Sequence, residues 1–153
     1  MPNILIRAPK GVYDAPAQAM LAAGAIAAAK AAEQGGDDPR HAALTWVTFE
    51  ETAFFSGLPD SLDRVIPVIV IFHYPQGVLD DEARALAVQL VHQAAAAAKP
   101  ASDPRTVATS VIMSEVPDGT WGGSGAIVRL PDLAWGAGYK HLQHLARPPL
   151  AAF

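Results

Sequence analysis

The chain has 153 residues, 51% hydrophobic and only 17% charged, a composition that suits one domain with a buried core and excludes a disordered segment. A net charge of -4 without any lysine- or arginine-rich run leaves nucleic acid and anionic membranes nothing to hold, so neither is expected as a partner. The absence of cysteine excludes disulfides, thiolate nucleophiles, iron–sulfur clusters and Cys-based zinc sites. The N-terminal MPNILIRAPKG carries a proline and charges where a signal peptide would be apolar, and apolar tracts such as Val65 to Phe72 fall far short of the roughly 20 residues of a membrane helix, so a soluble cytoplasmic protein is expected.

In chain order, Ile4 to Ile6 is a β-branched apolar run that predicts a strand, followed by a Pro-x-Gly turn. Asp14 stands where an N-cap belongs, with Pro16 in the first turn, and the helix it opens is expected to reach about Ala32, where Gly35–Gly36 end it. A second strand is expected over Leu44 to Glu50. After the linker EETAFFSGLPDSLDR the same plan returns: a strand over Val68 to Phe72, an N-cap at Asp80 with Asp81 and Glu82 behind it, a helix to about Ala98, a stop at Pro100, and a strand over Thr109 to Glu115. Leu86, Leu90, Ala94 and Ala97 share one face of that helix, and the alanine-rich stretches suggest close packing. WGGSG, lying between apolar runs rather than ahead of a helix, is read as a hairpin turn and not a phosphate loop.

The recurrence has a nearly constant period, with one inserted residue before Gly77 that is compensated after the helix. Pro2 aligns with Pro67 at an offset of 65, Gly11–Val12 with Gly77–Val78 at 66, Asp38–Pro39–Arg40 with Asp103–Pro104–Arg105 at 65, and Glu50 with Glu115 at 65. The expected fold is therefore α/β (α+β): a single domain over 1–153 made of two tandem βαβ units, 2–51 and 67–116, and a hairpin turn with a C-terminal tail over 117–153. The units share a four-stranded mixed sheet with two helices on one face and parallel strands within each unit. The other face is left bare and apolar, which calls for cover by other subunits. Phe54, Phe55, Trp135, Tyr139 and Leu142, in the linker and tail, are read either as contacts across such an interface or as packing within their own chain.

A proline directly after the initiator methionine, a short strand, a turn ending in Gly, a helix, then a Val/Ile strand closing on Glu before an aromatic–Gly–Gly turn (VIMSEVPDGTWGGSG) resembles the tautomerase superfamily over roughly residues 2 to 128. The length and duplication are similar to those of the fused members, the group with the malonate semialdehyde decarboxylases, the cis-3-chloroacrylic acid dehalogenases and macrophage migration inhibitory factor. The resemblance implies a homotrimer without cofactor or metal. It also implies an isomerase-like activity, or a lyase or hydratase variant of it, on a small keto–enol or unsaturated carboxylic acid, with Pro2 as general base and acid. The chemistry is sound, because removal of Met1 turns Pro2 into a secondary amine, α-amino groups titrate near 7.7–8.0, and desolvation or a nearby cation lowers that value. With Met1 retained the nitrogen is an amide, and the alternative is a catalytically inactive homologue acting as a binding or structural protein.

The resemblance also implies cations around the proline, and here the sequence departs from it. The arginine positions after the turn glycine are Val12 and Val78, and those of the closing strand are Thr45 and Ser110. The candidates that remain each have two readings. His73, at the end of the duplicated strand, is a second catalytic group or a structural or solvent-facing side chain. Lys10 anchors a substrate carboxylate or is a solvated turn lysine. Arg7 binds substrate or faces a subunit interface. Tyr74 offers a hydroxyl, and Trp121 walls the pocket or packs its own turn. His141 and His144 lack a third ligand nearby in sequence, so no metal is expected.

Overall fold

A computed structural model of the chain describes residues 2–148, the side chain of Pro59 aside. Strand β1 (Asn3–Pro9) leads to α1 (Ala15–Ala32), the short α2 (Pro39–Ala43) and β2 (Trp46–Thr52). After a 3-10 turn (Pro59–Asp63) come β3 (Val65–Pro75), α3 (Asp81–Ala98) and β4 (Thr106–Val116). The chain continues through the hairpin β5 (Trp121–Gly123) and β6 (Ala126–Val128), the helix α4 (Leu130–Gly136) and a 3-10 turn (Lys140–Leu142). The expected N-caps form, since the Asp14 side chain accepts the Ala17 N–H and the Asp80 side chain that of Ala83. The strands run longer than the apolar runs suggested, and α2 and α4 have no counterpart among the expected elements. WGGSG is the hairpin turn.

The four long strands form one mixed sheet in the order β2-β1-β3-β4, parallel within each pair β1/β2 and β3/β4 and antiparallel where β1 meets β3. Alternation sends Ile4, Ile6, Ile66, Val68, Val70 and Phe72 under the helices, where all are buried. Each such side chain contributes roughly 1.5–3 kcal/mol of burial. The alanine-rich helices pack against each other as well as the sheet: a Cβ on Gly24 of α1 would overlap the Cβ of Ala94 on α3. A mid-helix glycine costs about 1 kcal/mol in propensity, and here it permits the close crossing.

The opposite face carries the other register set. Across it run Trp46, Asn3, His73 and Ser114 in one row and Thr48, Leu5, Ile71 and Ile112 in the next. Trp46 is 67% exposed and Ile112 47%. No element among the described residues covers this apolar surface. Of the linker and tail residues, Tyr139 and Leu142 are buried within their own chain, whereas Phe55 and Trp135 are exposed. No helix among the described residues is long and apolar enough to cross a membrane.

Candidate active site

Strand alternation decides where Pro2 lies. It is in phase with Ile4 and Ile6, on the helix side of the sheet, buried, with its carbonyl accepting the Trp46 N–H at 3.3 Å. It lines a small cavity of about 10 Å³ together with Glu33, Phe72, Tyr74, Leu79 and three alanines of α1 and α3. That volume holds about one water molecule. The apolar walls desolvate whatever enters, and Glu33 is the carboxylate among them.

Glu33 is held by a construction that begins at the end of α1. Its N–H closes the helix on Ala29, Gln34 takes a positive φ of 51°, and Gly36 follows at 58°, so the chain reverses. Asp38 then caps α2, accepting the Arg40 N–H, and Pro39 starts it. The reversal carries His41 back over Gly35 so closely that a Cβ there would stand 2.5 Å from the imidazole ring. His41 Nε2 meets Glu33 Oε2 at 2.6 Å, with both side chains at most 2% exposed. The Thr45 hydroxyl donates to the His41 carbonyl. From the far end of the chain Tyr139, following Gly138 at a φ of 68°, donates its hydroxyl to Glu33 Oε1 at 3.3 Å. Arg40 donates to the Trp135 carbonyl and fastens the tail to the same turn.

Burial pushes the Glu33 carboxyl up, but the hydrogen bonds and positive charge facing it, His41 among them, outweigh burial and hold it below the ordinary value. Tyr139 moves the other way: burial first, then the Glu33 charge, keep its hydroxyl protonated well above the usual phenol range. The result is a buried carboxylate anion behind the apolar surface of the Pro2 cavity. His41 Nδ1 is buried with no hydrogen-bond partner among the described residues.

Of the six residues expected at the site, two come together. Tyr74 shares the cavity with Pro2, and its hydroxyl oxygen accepts from Arg84 Nε at 3.1 Å. Arg84 is further held by Glu115 and Asp81, and the Tyr74 bond leads the interactions that raise its guanidinium above the usual range. His73 pairs in register with Asn3 on the bare face, across the sheet from Pro2. Arg7 lies on that face too, in an ion pair with Glu50 at 2.8 Å. Lys10 is exposed beyond the far end of β1, and seven strand steps from Pro2 to Pro9 already span roughly 23 Å. Trp121 is half-buried in the hairpin and lines a separate small cavity with Pro75, Gln76 and Leu130. Met1, on whose removal the Pro2 amine depends, lies outside the described residues. His141 Nε2 meets the Val78 carbonyl at 2.9 Å.

Sequence reasoning missed Glu33, His41 and Tyr139. One signal was available: a carboxylate at the C-terminal end of an alanine-rich helix opposes the helix dipole and calls for a reason.

No family model matches the sequence, and no curated protein matches it. Solved structures do share the fold. A fused 4-OT wild type asymmetric trimer superposes with a TM-score of 0.61 at 14% identity, over 82% of this chain and 94% of the other. A fused 4-OT wild type symmetric trimer gives 0.62 at 14% identity over the same shares. A member of the cis-3-chloroacrylic acid dehalogenase (cis-CaaD) family gives 0.63 at 12% identity, covering 86% of each chain. The chain thus has the tautomerase-like fold, a four-stranded mixed sheet backed by helices.

Proposed function

We propose that this protein is an isomerase-like enzyme in which the amine of Pro2, freed by loss of Met1, moves a proton on a small compound that interconverts between keto and enol forms. The observation that carries this reading is the burial of Pro2 at the start of β1 beside a small apolar cavity, with the Glu33 side chain among its lining residues. An amine there accepts the proton of an enol hydroxyl and delivers one to the adjacent carbon, returning to its starting state. Glu33 favours the charged ammonium, whereas the apolar walls favour the neutral amine, and the two together set the working pKa. Tyr74 is the hydroxyl best placed to orient a carbonyl, because its oxygen is already engaged by Arg84 and its proton remains to donate.

The bare sheet face supports assembly, and the trimers named among the structural neighbours make a homotrimer the natural way to cover it. In such an assembly His73, Arg7 and Trp46 become interface residues. The second reading, an inactive homologue that keeps the architecture, is favoured by Val12, Val78, Thr45 and Ser110 standing where the resemblance calls for arginines. Intact mass of the purified protein separates the two, one methionine lighter for the enzyme and full length for the inactive protein. Enol–keto conversion followed by absorbance then tests the proline directly. The Pro2→Ala variant is expected to lose at least about 100-fold in kcat/KM, and unchanged turnover would end the proposal.

A further inference from the structure

The turn that ends α1 builds a second feature, open to solvent, that the Pro2 reading does not use. Ala27, Lys30, Ala31 and Gln34 follow the helical spacing i, i+3, i+4, i+7 off the end of α1, and with Gly36, Asp37 and Lys140 they line a groove of about 390 Å³. That volume suits a small organic molecule. Two lysines reach it from opposite ends of the chain. Gly36, at a φ of 58°, lets Lys140 lie across the turn, since a Cβ there would stand 2.5 Å from the Lys140 ammonium. Lys30 Nζ donates to Asp37 Oδ1 at 2.8 Å. The hydrogen bond and charge of Lys30, with the charge of Lys140 adding to them, hold the Asp37 carboxyl below its ordinary value, so both ammoniums already act on a carboxylate at this spot.

The helix end is prepared for an anion as well. The carbonyls of Lys30 and Ala31, which repel an anion at a helix C-terminus when left open, accept from the N–H groups of Gly35 and Gln34. Gln34 closes the turn at a φ of 51°, the left-handed position that glycine fills without strain, and thereby keeps an amide side chain at the groove where glycine would leave none. Two ammoniums against the one carboxylate of Asp37 leave the lining one uncompensated positive charge, in a chain whose net charge is -4. The Ala27 and Ala31 methyls supply an apolar floor. We propose that this groove binds a small organic monoanion, a carboxylate with a compact apolar body, its charge between Lys30 and Lys140 and its body over Ala27 and Ala31.

Phenylacetate and phenylacetamide share a skeleton and differ in one charge. Titrated into the full-length protein at pH 7 and followed by 1H–15N NMR, the acid is expected to bind at least roughly tenfold more tightly than the amide. Its shifts should centre on residues 27–37 and 140, and its affinity should fall as salt is raised. The double variant Lys30→Gln, Lys140→Gln should lose the preference, whereas Lys10→Gln, at the far end of β1, should keep it. Equal affinity for acid and amide, no binding of the acid, or a preference that survives the double variant overturns the proposal. The comparison on the unaltered protein decides the matter even if the double variant does not fold. Pro2→Ala is expected to bind phenylacetate as the parent does, so failure of the proline mechanism and failure of this site give different results.

Discussion

The two long helices end in opposite ways, although each is followed by the same Asp-Pro-Arg segment. At the end of α3 stands Lys99, whose ammonium donates to the carbonyls of Pro100 and Asp103, a cation at the negative end of the helix dipole. At the end of α1 stands Glu33, an anion at that same end, 1% exposed. The segments that follow are alike: Asp38 accepts the backbone and guanidinium of Arg40, and Asp103 those of Arg105, each with a closest ion-pair distance of 2.6 Å. The second βαβ unit therefore illustrates what ending this helix requires, and Glu33 is not part of it. Its carboxylate is unfavourable for the helix end and is held by its hydrogen bonds with His41 and Tyr139.

That contrast can be broken from either side. The largest effect is expected from Glu33→Ala, which leaves His41 and Tyr139 buried without their shared acceptor. The loss should be on the order of 3 kcal/mol, read as a Tm lower by roughly 10 °C. A Tm within a degree or two of the parent would mean that the buried pair does not hold the turn.

Acid should then bring out what the two units share. Side-chain hydrogen bonds from Arg40 and Arg105 lead the interactions that hold Asp38 and Asp103 at about 2, below the ordinary 3.8. A carboxyl depressed in the folded state stabilises fully above its unfolded value, so this contribution is present above about pH 4 and disappears as pH falls toward 2. Melting curves across that window should fall less steeply for the double variant Asp38→Asn, Asp103→Asn than for the parent, and coincident slopes would show that the forks contribute nothing. The smallest change belongs to Lys99→Ala, about 0.5 kcal/mol, detectable as a slight shift of the urea midpoint. A loss rivalling that of Glu33→Ala would erase the distinction between the helix ends.

The sheet and its helices were legible because their signals are local. Val68 to Phe72 reads as a strand buried on at least one face, Asp14 and Asp80 sit where N-caps belong, and the βαβ pattern implies which strands run parallel. Of the residues expected at the candidate site, Pro2 and Tyr74 were legible as neighbours, because strand position alone brings them together. His73, one residue from Tyr74, was misplaced relative to Pro2 by the period of two, which turns neighbours to opposite faces. Glu33, His41 and Tyr139 are brought together by a glycine reversal at 34–36 and by a tail returning from more than a hundred residues away, and no periodicity encodes such contacts. The mismatch between Glu33 and the helix dipole was the one trace of them in the sequence.

The most direct measurement is the titration of the Pro2 nitrogen by NMR in protein labelled with 15N-proline, alone and as Glu33→Gln. A freed amine beside the Glu33 carboxylate should titrate as a single ionisable nitrogen, and its pKa should fall by about one unit or more when the carboxylate is neutralised. A nitrogen that stays an amide at every pH, or an amine whose pKa ignores Glu33, would contradict the assignment of this cavity as a proton-transfer site.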